Sequence, residues 1–328
     1  MKTGVRSRKS GVRIAVLAAL SMTLAFAQRP SDPKYFIQEQ APALDYVFAP
    51  NNGLQIPEGF TFGFPGNVTF DNKGHLWVLN RGPVPVTEFD ENGKMLRAFG
   101  EGLFGNRPHA VRIDPEGNIW VADGSTHILV KFDPQGKVLM TLGTKGKAGA
   151  WDEAAGTRLL NQPNEVAFGR NGDVFLVQGH TPGAMGDPRV IKFDKNGNFV
   201  KTWGGKGTAP GKFEVAHGIV INAKGELWVT DRENQRIQIF DQDGNYLREL
   251  KYAGLPCALE FGDGVIWMVN GFTGQILKLD MDGKVLAAMG KPGDGPGEFG
   301  EAHYVTVSPK GDLYVADVTK GVLKFVKK

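Results

Sequence analysis

The chain has 328 residues, 41% of them hydrophobic, with a formal net charge of +3, six histidines and one cysteine. The single Cys257 allows no internal disulfide and no thiolate metal cluster. Residues 1–27 hold five of the basic side chains and no acid, so the remainder carries about −2 and offers no basic face to a nucleic acid.

At the start of the chain, Lys2, Arg6, Arg8, Lys9 and Arg13 precede an apolar run from Ile14 to Phe26, and Ala25-Phe26-Ala27 supplies the small residues a signal peptidase accepts. Residues 1–27 therefore read as a secretory signal, and the mature protein as exported, periplasmic or extracellular. The run is too short to cross a membrane, and no later segment is expected to do so. A short extension, residues 28–41, leads into a repeat domain over residues 42–328.

The repeat is marked by turn glycines at Gly74, Gly117, Gly172, Gly225, Gly264 and Gly311, each followed by an apolar strand such as Leu76-Trp77-Val78 or Ile119-Trp120-Val121. A second turn glycine follows at Gly93, Gly136, Gly197, Gly244 and Gly283, and in four of these five pairs the spacing is 19 residues. Strand formers flank each turn, as in Phe132-Asp133-Pro134-Gln135-Gly136-Lys137-Val138. Four antiparallel strands in each of six repeats describe an all-β, six-bladed β-propeller. The last repeat ends after three strands, and Asp45-Tyr46-Val47-Phe48-Ala49 is the candidate to supply the fourth and pair the open edge.

Eight residues before each first-turn glycine stand Gly66, His109, Asn164, His217, Pro256 and His303. The histidines occupy alternate repeats, so a closed ring brings three imidazoles to one mouth. That is a donor set for a catalytic divalent metal: zinc suits three neutral imidazoles, and iron also accepts them. Such a site polarises a substrate oxygen or activates water.

The residues after each glycine reach the same mouth. Plus six holds Asn80, Asp123, Gln178, Asp231, Asn270 and Asp317; the aspartates either fix the imidazole tautomers or satisfy loop amides. Plus seven holds Arg81 and Arg232, a pair suited to clamping a carboxylate, although Arg232 also belongs to a run typical of structural repeat loops. Plus eight of the third repeat is His180, inside an inserted loop from Gln178 to Pro188. The connection from Thr144 to Pro163, with Trp151, Asp152 and Glu153, is expected to add a wall or lid. His75 and His127 read as structural or solvated, and the sequon Asn67-Val68-Thr69 falls in an inner strand.

On Asn80-Arg81-Gly82, Arg107-Pro108-His109-Ala110-Val111, Phe213-Glu214-Val215-Ala216-His217-Gly218, Asp231-Arg232-Glu233-Asn234 and Glu301-Ala302-His303, residues 42–328 resemble the NHL-repeat propellers, and among them the peptidyl-alpha-hydroxyglycine alpha-amidating lyases. The resemblance implies zinc on the three histidines and substrate-contacting or catalytic roles for Arg81 and Arg232. The family's catalytic tyrosine falls at His180, which the resemblance casts as a base or a further ligand. The family's structural calcium uses an aspartate where this chain has Tyr304, which argues against calcium here. The implied reaction splits an N-acyl alpha-hydroxyglycine or similar hemiaminal, a small or peptide-derived substrate, into an amide and glyoxylate. Two alternatives share the same mouth: a metallohydrolase opening an ester or lactone, and a non-catalytic binding scaffold.

Overall fold

The computed structural model describes residues 41–183, 186–262 and 264–328. The predicted signal, 1–27, and nearly all of the extension lie outside the described residues. What is described is six four-stranded antiparallel sheets, with a two-stranded hairpin beside the third. Their innermost strands are Pro65–Phe70, Pro108–Ile113, Pro163–Phe168, Ala216–Ile221, Pro256–Gly262 and Ala302–Val307, which pack against one another in sequence around an axis. The molecule is an all-β, six-bladed β-propeller. No described helix is long and apolar enough to cross a membrane.

The turns show why these residues make blades. In the first, Asp71 Oδ1 accepts from the amides of Lys73 and His75, at 2.9 Å each, while Gly74 takes φ of +80°. A side chain that mimics a backbone turn, followed by a residue free of a Cβ, reverses the strand tightly. Asp114, Asp133, Asp194 and Asp241 repeat the device. The second strand of every blade is then almost wholly buried, as in Leu76–Asn80 and Leu227–Asp231, and packs between neighbouring sheets.

The ring closes as the sequence suggests. Tyr46–Ala49 pairs antiparallel with Gly321–Lys327, matching Tyr46 to Lys327 and Phe48 to Phe325. The Phe48 and Phe325 rings meet at 5.6 Å, and the Tyr46 hydroxyl donates to the Gly311 carbonyl at 2.9 Å.

Each innermost strand carries a register shift near its start: between Pro65 and Asn67, Pro108 and Ala110, Pro163 and Glu165, Ala216 and Gly218, Pro256 and Ala258, and Ala302 and Tyr304. The bulged residues are Gly66, His109, Asn164, His217, Cys257 and His303. Counting from the turn glycine assigns Pro256 to this level in blade 5, and the structure corrects that to Cys257. The turn before Gly264 is one residue shorter, with Gly262 opposite Val265, so the register moves by one. A bulge re-aims one side chain out of the pleat, and here all six act at one level of the channel.

Candidate metal centre

His109, His217 and His303, on blades 2, 4 and 6, meet at that level. Their ring centroids are 4.8 Å apart for His109 and His217, 4.6 Å for His109 and His303, and 5.1 Å for His217 and His303. Blades 1, 3 and 5 supply the matching half of the device. His303 Nδ1 donates to the Gly66 carbonyl at 2.6 Å, His109 Nδ1 to that of Asn164 at 2.7 Å, and His217 Nδ1 to that of Cys257 at 3.0 Å. A carbonyl only accepts, so each Nδ1 carries its hydrogen and each Nε2 presents a lone pair to the axis.

The Nε2 atoms of His109 and His217 are buried without a partner. A buried acceptor left unmade is costly, and a divalent ion is what such converging lone pairs satisfy. Burial, reinforced by mutual repulsion and nearby arginines, pushes the His109 and His217 imidazoles well below their usual value. It pushes His303 down to about 3. All three are therefore neutral near pH 7, the form that ligates metal.

His180 joins them. Its ring lies 4.9 Å from that of His109 and 5.2 Å from that of His217, and one ring nitrogen from each of the four histidines falls within 4.8 Å of the others. Burial also holds its imidazole well below the usual range. The inserted loop is pinned by the Thr181 hydroxyl on Gln162 Oε1 at 2.6 Å and by the Gly183 amide on Glu214 at 3.0 Å. These four histidines, three buried and His180 half-buried, form a group able to hold a metal ion.

Arg81 and Arg232 face the cluster from blades 1 and 4. Arg81 lowers the basicity of His109 and His303, and Arg232 that of His217, His180 and His303. Arg232 is almost fully buried and pairs with Glu233 at 3.1 Å, whereas the Arg81 Nε is buried without a partner. Arg107, two residues before His109 and without a counterpart at the repeat positions that hold Arg81 and Arg232, also contributes to the field at His180. Cys257 serves through its carbonyl, while burial pushes its thiol up to about 12.

The aspartates do not orient the imidazoles. Asp123 accepts from the Gly105 and Ser125 amides and the Ser125 and Thr126 hydroxyls. Asp231 takes the Glu214 amide and Arg236, and Asp317 the Gly300 and Thr319 amides. Loop satisfaction is the role of all three.

Four further residues fall outside the site. Trp151, expected in a wall or lid, is buried against Phe193 and Phe199 at 5.6 and 5.3 Å, so it packs onto the outer strands of blade 3. His75 bonds Glu88 and His127 accepts the Gln162 amide, both structural roles. Asn67 is fully buried and accepts from Arg112.

Beneath the cluster, the buried Tyr304 hydroxyl sits 3.4 Å from His109 Nδ1. Arg112 donates there to Asn67 at 2.9 Å, to the Val111 carbonyl at 3.1 Å and to Glu165 at 2.7 Å. The buried Glu165 carboxyl pairs with this guanidinium while the half-buried Glu260 lies in its field, and desolvation raises both, Glu165 to about 7.

Comparison with known proteins agrees with the repeat and the fold. The NHL repeat model matches residues 106–132 and 213–240. Human NHL repeat-containing protein 3 is 34% identical over 102 residues, 31% of this chain and 28% of that protein. Rat peptidylglycine alpha-amidating monooxygenase is 34% identical over 120 residues, 34% of this chain and 12% of that protein. The match thus spans less than a third of either relative's length. Among solved structures, a streptogramin B lyase superposes with a TM-score of 0.62 at 16% identity, covering 86% of this chain and 98% of that one. A gluconolactonase from Xanthomonas campestris gives 0.58 at 16% identity, covering 87% and 98%. At that identity the likeness is one of fold. The chain carries NHL repeats on a six-bladed β-propeller and is homologous, over about a third of its length, to the amidating monooxygenases and to NHL repeat-containing protein 3.

Proposed function

We propose that this protein is an exported, metal-dependent lyase that cleaves the carbon–nitrogen bond of an N-acyl alpha-hydroxyglycine or related hemiaminal, releasing an amide and glyoxylate. The observation that carries the reading is the convergence of three Nε2 lone pairs, set by three backbone carbonyls, beside an arginine whose Nε has no partner. The segments related to the amidating monooxygenases and the lyase resemblance around His109, His217, His303, Arg81 and Arg232 point the same way.

A divalent cation, zinc as the first choice and iron as the second, supplies Lewis-acid stabilisation of negative charge on a substrate oxygen. The protein's own residues do the rest. Arg81 neutralises the substrate carboxylate, which fixes the alpha carbon near the histidines. His180, neutral and half-buried at the same mouth, accepts the hydroxyl proton; alternatively it would serve as a fourth nitrogen ligand to the metal. Arg232, already held by Glu233, adds positive potential to the histidine side of the pocket without needing to move. As the carbon–nitrogen bond breaks, its electron pair leaves with the nitrogen, which takes up the proton accepted by His180, and the hydroxyl carbon becomes the aldehyde of glyoxylate.

A metallohydrolase acting on a lactone is the second reading, favoured by the shared fold with a gluconolactonase. Product analysis separates them. The lyase reading expects stoichiometric glyoxylate and benzamide from alpha-hydroxyhippuric acid with no net uptake of water. Lactone opening without glyoxylate release would overturn it.

A further inference from the structure

Gly124 stands at plus seven of blade 2, the position held by Arg81 in blade 1 and Arg232 in blade 4. Its backbone is outside the left-handed region, so conformation does not demand glycine. What the missing side chain gives is room. A Cβ at Gly124 would touch Arg107 Nε at 3.5 Å and Nη2 at 3.9 Å, so the Arg107 guanidinium lies over that position. A third guanidinium thus joins the ring level of Arg81 and Arg232, delivered from the loop before Pro108–Ile113.

Arg107 is held differently from Arg232. Among the described residues it makes no ion pair within 4 Å, its Nε is buried without a partner, and its one side-chain hydrogen bond is a long 3.4 Å contact to Gln162 Oε1. Asp123 is near, but its oxygens are taken by Gly105, Ser125 and Thr126. Gln162 adopts φ of +54°, a conformation costly for a residue with a side chain. It is fixed there by His127 on its amide and by Thr181, the neighbour of His180, on its side chain. A strained residue that supports both a guanidinium and the His180 loop is the arrangement of a ligand clamp.

Charge points to the ligand. The three guanidiniums face three carboxylates, Glu233 on Arg232, Glu301 near Arg81 and Asp123 near Arg107, but Asp123 spends its oxygens on its own loop and makes no ion pair with Arg107. A monocarboxylate placed beside Arg81 leaves Arg107 unpaired, with its Nε buried. We propose that Arg107 is a second anion-recognition residue of this site and that the ligand is a small dicarboxylate, with one carboxylate on the glycine end beside Arg81 and the other on the acyl group at Arg107. The identity of the glycine end rests on the function proposed above; the second anion does not.

Isothermal titration with the unreactive analogues N-succinylglycine and N-acetylglycine tests this. The wild type is expected to bind the succinyl compound about tenfold or more tightly than the acetyl one. In Arg107→Gln that ratio falls to near one, and Arg107→Lys recovers part of it. A ratio near one in the wild type, or one unchanged in Arg107→Gln, overturns the proposal. If the wild-type preference holds but no glyoxylate is released from the hydroxylated compound, only the reaction is wrong. Glyoxylate release without the preference removes the role of Arg107 and leaves the reaction standing.

Discussion

His303 Nδ1 donates to the Gly66 carbonyl across the seam between the last blade and the first, at 2.6 Å. The same seam is bridged by Tyr46–Ala49, which completes the final sheet. The candidate metal centre is therefore only as well formed as the ring closure, because one of its three imidazoles is oriented by a residue 237 positions away in sequence.

Removal of residues 1–50 deletes that closing strand, with the Phe48–Phe325 contact and the Tyr46–Gly311 bond. It leaves Gly321–Lys327 as an unpaired edge. Thermal unfolding is expected to shift down by roughly 5 °C or more, in line with a loss of a few kcal/mol in a domain of this size. An unchanged midpoint would remove the seam from the stability of the fold.

Asp231 and Arg236 form a buried pair at 2.8 Å, which also anchors the Glu214 amide before His217. Breaking one partner of such a pair costs about 3–5 kcal/mol. Asp231→Ala should lose stability of that order in urea unfolding while the folded fraction still binds metal with the wild-type stoichiometry. Loss of metal in a folded Asp231→Ala protein would return the aspartates to the role of orienting the imidazoles.

Metal-free protein should weaken in acid. The four imidazoles titrate lower when folded than when unfolded, His303 at about 3. Between the ordinary histidine value near 6.5 and that folded value, the unfolded chain binds more protons. The stability they contribute is thus complete above about pH 6.5 and is lost as the pH falls toward 3. His303→Gln, compared with wild type after chelation, should show a shallower fall of unfolding midpoint between pH 6.5 and 4. Parallel curves would count against a buried neutral imidazole.

Calcium should be dispensable. Arg112 already places a cation among Asn67, the Val111 carbonyl and Glu165, and burial holds the Tyr304 phenol well above its usual range, hence neutral. Treatment with a calcium-selective chelator is expected to leave the unfolding midpoint unchanged. A drop that added calcium reverses would place a calcium site within the fold.

The fold and the tripod were legible because both are periodic. Turn glycines 19 residues apart announce hairpins, and histidines at alternate repeats announce convergence once the ring is closed. The carbonyl partners of the imidazoles were not legible, since a bulge depends on pairing across strands and leaves no residue signature at Gly66, Asn164 or Cys257. The misplacement of Pro256 has the same source, a turn shortened by one residue. Trp151 looked like a lid residue because a long connection hides whether an aromatic faces the mouth or the blade. Arg107 was visible two residues before His109, but its direction depends on the empty space above Gly124, which only the folded chain reveals.

His109, His217 and His303 are expected to hold one divalent ion. Metal analysis by inductively coupled plasma mass spectrometry, on wild type and on His217→Ala shown to be folded by circular dichroism, tests it most directly. About one equivalent of zinc or iron is expected in the wild type and less than a tenth of that in the variant. Equal metal in both proteins, or none in the wild type after incubation with zinc or ferrous iron, would contradict it.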